Sequence, residues 1–438
     1  MIYQPPRPKI PECSWKRPIG LGWDKPYTVR YPSNLDDGPW HGMPLGGFGA
    51  GCVGRSSRGE FNLWHLDGGE HTFRSLPACQ FSIFEQSENA PAQAYALCTE
   101  PPEDGTLRRW QWYPASRASG NQDKQHTGTY HALYPRSWFT YEGVFQTELT
   151  CEQFSPIWAG CYQESSYPVA IFEWTAHNPT DTPITLSIML TWQNMVGWFT
   201  NAIKKPQVRV RDDGSPVYEY QPRWGDSTGS YNQWIVENFR VGCLLDRIRL
   251  RDDIQEGEGQ LCLATVTNPS LEVFYHTRWN PAGDGSEVWD TFAANGSLVD
   301  IQDETPAEPG EQIAAAIAVR FTIRPGRTRK IPFILAWDFP VTEFSPGINY
   351  YRRYTDFFGR TGSNAWSIVR TTLKHNDLWR EKIQAWQDPI FNREDLPNWF
   401  KMALFNELYL LAGGGTLWTA AGERDSVGQF AVLECIDY

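Results

Sequence analysis

An alternation of apolar and polar residues with a period of two, running from about residue 70 to residue 345, most constrains the fold. The clearest runs are residues 169–177 (VAIFEWTAH) and 184–194 (ITLSIMLTWQN). Both are rich in the β-branched and aromatic residues that are typical of strands. The Asn/Pro/Asp cluster between them predicts that the two runs pair as an antiparallel hairpin.

Further strand-like runs surround this pair, and clusters rich in Gly, Asp, Asn and Pro separate them. No helical pattern interrupts the series, which predicts a large antiparallel β-sandwich. A propeller is disfavoured because no fixed-period repeat is visible. The runs are residues 80–86, 143–154, 260–267, 313–323 and 330–339.

After residue 346 the apolar spacing becomes that of a helix. Residues 363–386 predict a long helix, with Ser363 suited to cap its start and Pro389 standing beyond its end. The apolar stripe of this helix recurs at intervals of three and four residues. It consists of Trp366, Val369, Leu373, Leu378, Trp379, Ile383 and Trp386.

A second helix is predicted from Asp395 to Leu411, and the glycines from Gly413 onward supply its stop. Glu407 falls within its apolar stripe. A carboxylate in that setting costs free energy unless it is paired, hydrogen-bonded or protonated, so Glu407 is a candidate catalytic acid, base or nucleophile. A structural glutamate that ties helices together, or that keeps its head in water, fits the pattern too. The stripe consists of Leu396, Phe400, Ala403, Leu404, Glu407, Leu410 and Leu411.

The glycine-rich residues 43–71 superficially resemble a nucleotide-binding loop. No strand-like run precedes Gly46, no Lys-Ser/Thr pair follows, and no helix is evident after Gly51. The context that gives a phosphate loop its function is therefore missing. We interpret these glycines as positions where strands bend or where backbones approach closely.

Composition narrows the classes of partner. The 39 basic and 51 acidic residues give a net charge of −12 without a basic run, which disfavours nucleic acid and anionic membranes as main partners. Aromatic residues make up 14% of the chain. Their flat faces suit sugar rings, although large β cores are rich in aromatics as well. The eight histidines show no metal-binding spacing, so neither a metal nor another cofactor is expected.

Nine scattered cysteines without a C-x-x-C pair argue against a disulfide framework and against a cysteine zinc site. Buried free thiols are expected instead. The first 20 residues lack an apolar signal-like core, and no stretch reaches the roughly 18 apolar residues of a membrane span. These patterns predict a soluble, cytoplasmic protein.

Four regions are expected along the chain. A proline-rich extended arm covers residues 1–40, the β-sandwich 41–345, a linker with a helix 346–392, and the start of an α-helical domain 393–438. Two helices cannot bury the apolar faces that they present. The chain is therefore expected to stop inside its second domain.

Several segments, in order, resemble glycoside hydrolase family 116, the family of the non-lysosomal glucosylceramidase. The most specific are residues 404–418 (LFNELYLLAGGGTLW) and 432–438 (VLECIDY). The resemblance extends over about residues 20–438. Its other segments are residues 44–61, 134–139, 164–199 and 335–340.

The resemblance implies a β-sandwich followed by an (α/α)6 barrel, of which this chain holds the beginning, and retaining hydrolysis of β-glucosides or, in some members, β-xylosides. The glutamate of the family's L-F-N-E-L-Y motif is the catalytic nucleophile, and it corresponds to Glu407. The family's acid/base is an aspartate farther along the barrel, so it is expected to lie outside this sequence.

Other positions carry weaker implications. The family commonly has Asp where this chain has Gly413, which puts the local geometry in question. Trp418, Glu434 and Asp437 lie in motifs near the family's active site and are candidate substrate-binding residues, with a structural role as the open alternative. We interpret three further tryptophans as packing residues of the sandwich or of a domain interface: Trp192, Trp198 and Trp337.

The expected function is that of a β-glucosidase or glucosylceramidase-like hydrolase, with this chain an N-terminal fragment that is inactive alone. Two carboxylates suffice for the retaining mechanism, so it requires no metal. Two alternatives stay open. In the first, the chain is a non-catalytic β-sandwich module that binds carbohydrate or a partner. In the second, it is one half of a split enzyme, and a C-terminal barrel half completes it.

Overall fold

The computed structural model describes residues 8–21, 42–66, 72–117, 126–200, 207–210, 214, 216–219, 222–345, 348–413, 416–422 and 428–431. Antiparallel sheets dominate this part of the chain, and helices are few. The β-rich fold predicted from the period-two alternation is therefore confirmed. The expectation that no helix interrupts the strands is wrong, since a helix spans Ser286–Asn295.

The larger of the two main sheets has nine strands, each antiparallel to its neighbours. In spatial order they are Trp15–Pro18, Gly128–Leu133, Arg136–Tyr141, Glu148–Phe154, Val169–His177, Thr328–Asp338, Gln260–Val266, Arg240–Arg247 and Ser230–Glu237.

A five-stranded sheet faces it, and smaller sheets lie around both. The five strands, in spatial order, are Glu272–Trp279, Ala314–Ile323, Ile184–Gln193, Gln80–Ser87 and Ala90–Ala96. A four-stranded sheet contains Gly42–Leu45, Cys52–Ser56, Phe61–His65 and Thr72–Phe73. The two-stranded sheets are Gln207–Val210 with Pro216–Glu219, Val341–Ser345 with Ile348–Tyr351, and Leu417–Trp418 with Phe430–Ala431.

The main core lies between the two large sheets. Phe81 of the five-stranded sheet meets Trp174 and Phe333 of the nine-stranded sheet edge to face, at centroid distances of 5.3 and 5.7 Å. Trp192, Trp198 and Trp337 are fully buried in the same core, as expected for packing residues. Such aromatic pairs add about 0.5–1.5 kcal/mol each beyond the area that they bury.

The predicted hairpin is wrong. Val169–His177 has the predicted bounds and Ile184–Gln193 ends one residue early. The first pairs within the nine-stranded sheet and the second within the five-stranded sheet. Their connection crosses between the layers because Asn178 anchors it. The buried Asn178 amide donates to Thr182 O and to Ile323 O, both at 2.8 Å.

The N-terminal arm is only partly an extended surface segment. Residues 1–7 and 22–41 lie outside the described residues. Trp15–Pro18 forms an edge strand of the nine-stranded sheet and pairs with Gly128–Leu133. This part of the predicted arm is extended, as expected, but it belongs to the sandwich rather than lying over its surface.

Among the described residues there are five α-helices, which we call α1 to α5 in chain order, and two short 3-10 helices. No described helix combines the length and low polarity that crossing a membrane requires. The α-helices are α1 (Ser286–Asn295), α2 (Thr355–Phe358), α3 (Ala365–Phe391), α4 (Asn398–Asn406) and α5 (Leu410–Gly413), and the 3-10 helices are Glu164–Ser166 and Glu407–Tyr409.

Helix α3 covers the outer face of the nine-stranded sheet. Val369, Trp379 and Ile383 of the predicted stripe are buried there, whereas Leu378 is 47% exposed. The helix continues through Pro389 to Phe391, five residues beyond the predicted end. Contacts made by the last turn hold it, since the buried Lys401 ammonium donates to Phe391 O at 2.9 Å.

Buried charges join α3 to the sheet. Arg380 contacts Glu173 at 2.6 Å and Glu152 at 3.6 Å. Lys330 contacts Glu173 at 2.6 Å, and Arg136 contacts Glu152 at 3.4 Å. Burial raises the pKa of Glu173 despite these cations. The network fixes α3 on the sheet because each buried carboxylate needs its partners.

Candidate active site

The helix that carries Glu407 is interrupted at that residue. Helix α4 ends at Asn406, a 3-10 turn spans Glu407–Tyr409, and α5 follows. Asn406, Glu407 and Leu410 keep right-handed helical backbone angles. The helix predicted from Asp395 to Leu411 is therefore present from Asn398 to Gly413, but it starts later and contains a 3-10 turn. The (α/α)6 barrel that the resemblance implies is not confirmed by the described residues after 392.

Part of the predicted apolar stripe of this helix faces solvent. Phe400 is 37% exposed and Leu404 41% exposed, and Glu407 is exposed as well, whereas Leu410 and Leu411 are half-buried. Of the alternatives that the sequence left open for Glu407, the structure matches the one in which the carboxylate keeps its head in water. The buried side of α4 holds Lys401, Phe405 and Asn406 instead.

Hydrogen bonds allow polar residues to occupy the buried side. Lys401 donates to a backbone carbonyl at the end of α3, as described above. Asn406 accepts from Tyr134 N at 2.8 Å and donates to Ala132 O at 3.3 Å. A buried amide whose donors and acceptors are satisfied avoids most of its desolvation cost, so three- and four-residue spacing alone could not identify the buried face.

Phe405 supplies the apolar part of this contact. Its ring lies 5.2 Å from Trp386 and 5.4 Å from Phe391, both on α3. The same cluster includes Leu133 and Trp138 of the nine-stranded sheet. Helix α4 therefore packs at the junction of α3 and the sandwich.

A cavity of about 710 Å³ opens beside the helix break. Leu408 and Leu411, which follow Glu407 in the chain, line one side of it. The other walls are mainly aromatic, with flat faces of the kind on which sugar rings stack. These aromatic residues are Phe48, Tyr134, Trp158, Tyr162, Trp386, Trp418 and Phe430.

The cavity wall carries little charge. Arg353 is the one charged residue among the described residues that line it, and it pairs with Asp356 at 2.8 Å. Burial raises the pKa of the Cys161 thiol, which donates to Glu164 at 2.9 Å. Burial likewise raises the pKa of Tyr134 well above its ordinary value. The thiol and the phenol therefore stay neutral at pH 7.

Trp418 lines this cavity. Its carbonyl accepts from Arg353 N at 2.8 Å, and the Arg353 guanidinium carbon lies 5.8 Å from the centre of its ring. Gly49 of the glycine-rich segment packs against it so closely that a Cβ there would lie 2.6 Å from Trp418 atoms. The interpretation of that segment as a close backbone approach is confirmed at this position.

Gly413 is buried in α5 and faces the sandwich. A Cβ at this position would lie 3.4 Å from the Pro44 ring, an ordinary packing distance. A side chain at position 413, such as the aspartate common in the family, would therefore start in contact with the sandwich.

The predicted candidates are only partly assembled. Trp418 lines the cavity, whereas Glu407 is not among its lining residues. Glu434 and Asp437 fall outside the described residues. Sequence reasoning did not select Phe48, Tyr134 or Trp158 as site residues. Phe48 and Tyr134 do lie within motifs that carry the resemblance, which is the signal that could have found them. No metal-binding group of three acidic, histidine or cysteine side chains occurs among the described residues.

Comparison with known proteins bears on the family. Among solved structures, a similar one is named "Putative kojibiose phosphorylase from human microbiome", with 10% sequence identity and a TM-score of 0.29. The match covers 85% of this chain and 36% of that chain, so this chain spans about a third of the length of that protein.

The family model described as "beta-glucosidase 2, glycosyl-hydrolase family 116 N-term" matches residues 42–379. The match extends from the first strand of the four-stranded sheet into α3 and covers more than half of the chain. The protein therefore belongs to glycosyl-hydrolase family 116, through the N-terminal domain of that family.

Proposed function

We propose that the protein takes part in the retaining hydrolysis of β-glucosides, either soluble or carried on a lipid as in glucosylceramide, and that Glu407 is the nucleophile. The observation that carries the proposal is the position of Glu407. It lies exposed in the 3-10 turn between α4 and α5, next in the chain to Leu408, which lines an aromatic cavity together with Leu411.

In this reaction the Glu407 carboxylate attacks the anomeric carbon and forms a covalent glycosyl-enzyme, which water then hydrolyses. A second carboxyl group about 5–5.5 Å away protonates the leaving oxygen and later activates the water. No carboxylate occurs among the described residues that line the cavity. We assign the second carboxyl group to a C-terminal (α/α)6 barrel segment.

The exposed face of α4 supports that assignment. Trp399, Phe400 and Leu404 are 67%, 37% and 41% exposed on a short helix whose buried side already packs on α3 and the sandwich. A barrel segment that packs on this face would remove the three side chains from water and bring its own side chains to Glu407. On this proposal residues 41–392 support the site, and residues from 393 onward begin the catalytic domain.

The test is covalent trapping of the nucleophile. A 2-deoxy-2-fluoro-β-glucoside with an activated leaving group needs no general acid, so it tests Glu407 without the second carboxyl group. We expect one glycosyl adduct by intact mass spectrometry and its location at Glu407 by peptide mapping.

Glu407→Gln is expected to abolish the adduct, since an amide is a poor nucleophile at the anomeric carbon. The matched control is Glu394→Gln, a neighbouring exposed carboxylate, which should label like the parent chain. An adduct at another residue, or none on a folded chain, would contradict the nucleophile assignment.

The lack of a carboxylate among the described wall residues favours one second candidate, a non-catalytic module that binds carbohydrate in the aromatic cavity. This candidate predicts quenching of tryptophan fluorescence by a glucoside without covalent labelling. Trp386→Ala should weaken that quenching, because Trp386 lines the cavity from α3.

A further inference from the structure

We propose that Asn406 is a positioning residue for Glu407, which it holds in place by fastening the end of α4 to the sandwich. The proposal rests on the nucleophile role proposed above for Glu407. It adds a residue whose side chain touches neither the sugar nor the reacting atoms but acts through its neighbour in the chain.

The side chain of Asn406 is fully buried and points to backbone groups of the nine-stranded sheet. Its carbonyl oxygen accepts from Tyr134 N at 2.8 Å, and its amide nitrogen donates to Ala132 O at 3.3 Å. Ala132 lies near the end of strand Gly128–Leu133, and Tyr134 lies in the turn that leads to strand Arg136–Tyr141. The paired strands hold both backbone groups in place, so these bonds fix the end of α4 to the sandwich.

The two polar anchors on the buried side of α4 have different partners. Lys401 binds Phe391 O and thereby joins α4 to α3. Asn406 joins α4 to the sandwich, at the residue before the helix changes to a 3-10 turn. Consecutive Cα atoms are about 3.8 Å apart, so a displacement of residue 406 moves the backbone of Glu407 with it.

The chain offers a matched control in Gln387 of α3. This residue is also fully buried, donates to Tyr134 O at 2.9 Å and accepts from Arg136 at 2.7 Å. The N–H and the C=O of Tyr134 are thus bound by two different helices. Gln387→Ala also removes a buried side-chain amide, but it leaves the two hydrogen bonds of Asn406 that attach α4 to the sandwich.

The test measures the rate of fluoroglucoside labelling at saturation and the concentration that gives half of that rate. For Asn406→Ala we expect the saturating rate to fall about 10- to 100-fold, because an attacking group misplaced by about 1 Å can lose that much. The half-saturating concentration should change less than about threefold, because other groups bind the sugar. Asn406→Asp keeps the acceptor for Tyr134 N but turns a second oxygen toward Ala132 O, so it should recover only part of the loss.

Gln387→Ala should lower the melting temperature to a similar extent as Asn406→Ala while labelling within about threefold of the parent chain. Equal rate losses in both variants, or unchanged labelling in a folded Asn406→Ala chain, would overturn the positioning role. Amide hydrogen exchange gives a readout that is independent of labelling. Exchange at residues 407–410 should rise about tenfold in Asn406→Ala and stay unchanged in Gln387→Ala.

These two measurements separate the proposals. A parent chain that does not label refutes the nucleophile assignment, and the exchange rates then still decide whether Asn406 fixes this turn. If exchange at residues 407–410 is the same in all variants, Asn406 does not position Glu407.

Discussion

The interior of the sandwich and the surface of α4 place the same residue type in opposite environments. Trp337 is fully buried between the sheets, and its indole donates to Ala50 O at 2.8 Å. Trp399 of α4 is 67% exposed, while Lys401 and Asn406 of the same helix are buried. The space between the two large sheets thus buries its apolar residues, whereas α4 is attached through Lys401, Phe405 and Asn406 and leaves an apolar face in solvent.

The two regions differ in how closely they are packed. Between the two large sheets, aromatic and aliphatic side chains fill a continuous core, and a closely packed core is sensitive to any change in side-chain volume. Helix α4 is bound at one side and open at the other. Its exposed face is the surface on which the proposed catalytic domain would form.

The largest expected effect on stability comes from truncating a tryptophan in each of the two regions. Trp337→Ala should lower the free energy of unfolding by about 3–5 kcal/mol, since it leaves a cavity in a packed core and removes a buried hydrogen bond. Trp399→Ala should change it by less than about 0.5 kcal/mol. Urea denaturation followed by circular dichroism measures both, and equal losses would mean that α4 is covered in the protein as purified.

The second comparison is between the largely buried Arg380 and the exposed Arg393, and the expected change in stability is smaller. Arg380→Met should cost about 3 kcal/mol because it removes the partner of two buried carboxylates, of which Glu173 keeps only Lys330 as a close cation. Arg393→Met breaks an exposed pair with Asp395 and should cost at most about 1 kcal/mol. The same denaturation experiment measures both variants, and a small loss for Arg380→Met would show that α3 does not depend on the network.

The smallest effect is a pH dependence within the sandwich. Burial, aided by Lys16, lowers the pKa of His131 from 6.5 to about 4. Between these values the unfolded chain binds a proton that the folded chain does not, so the free energy of unfolding falls as the pH decreases from about 6.5 to about 4. After allowance for solvent screening of this half-buried side chain, about 1–2 kcal/mol is expected.

His131→Gln should flatten that part of the stability curve and leave the stability at pH 7 nearly unchanged. Urea denaturation at pH values between 4 and 7 measures the slope. The exposed Asp395, whose pKa is lowered to about 2 by Arg393, provides the comparison from the region of α4. Asp395→Asn should leave the slope between pH 4 and 7 as it is in the parent chain, and an unchanged slope in His131→Gln would refute the prediction.

Local sequence patterns by themselves located several of the strands, although the run predicted at 143–154 forms a strand only from Glu148. Val169–His177 was predicted with its observed bounds, and Gln80–Ser87, Gln260–Val266 and Ala314–Ile323 were predicted to within about a residue at each end. Alternation is visible in sequence because each strand must turn one face to the core. The motif that contains Glu407 similarly indicated the family without any structural information.

The tertiary structure alone decided which elements are partners. Hydrogen bonds of Asn178 fix the connection between the two sheets. Lys401 and Phe405 stabilise the end of α3 beyond Pro389. The hydrogen bonds of Asn406 allow the polar side of α4 to be buried. Each outcome depends on a hydrogen bond or an aromatic contact to a segment far away in sequence. The spacing of apolar residues shows which side chains share a face of a helix or strand. It does not show what packs against that face, because the contacts that stabilise the packing come from residues distant in sequence.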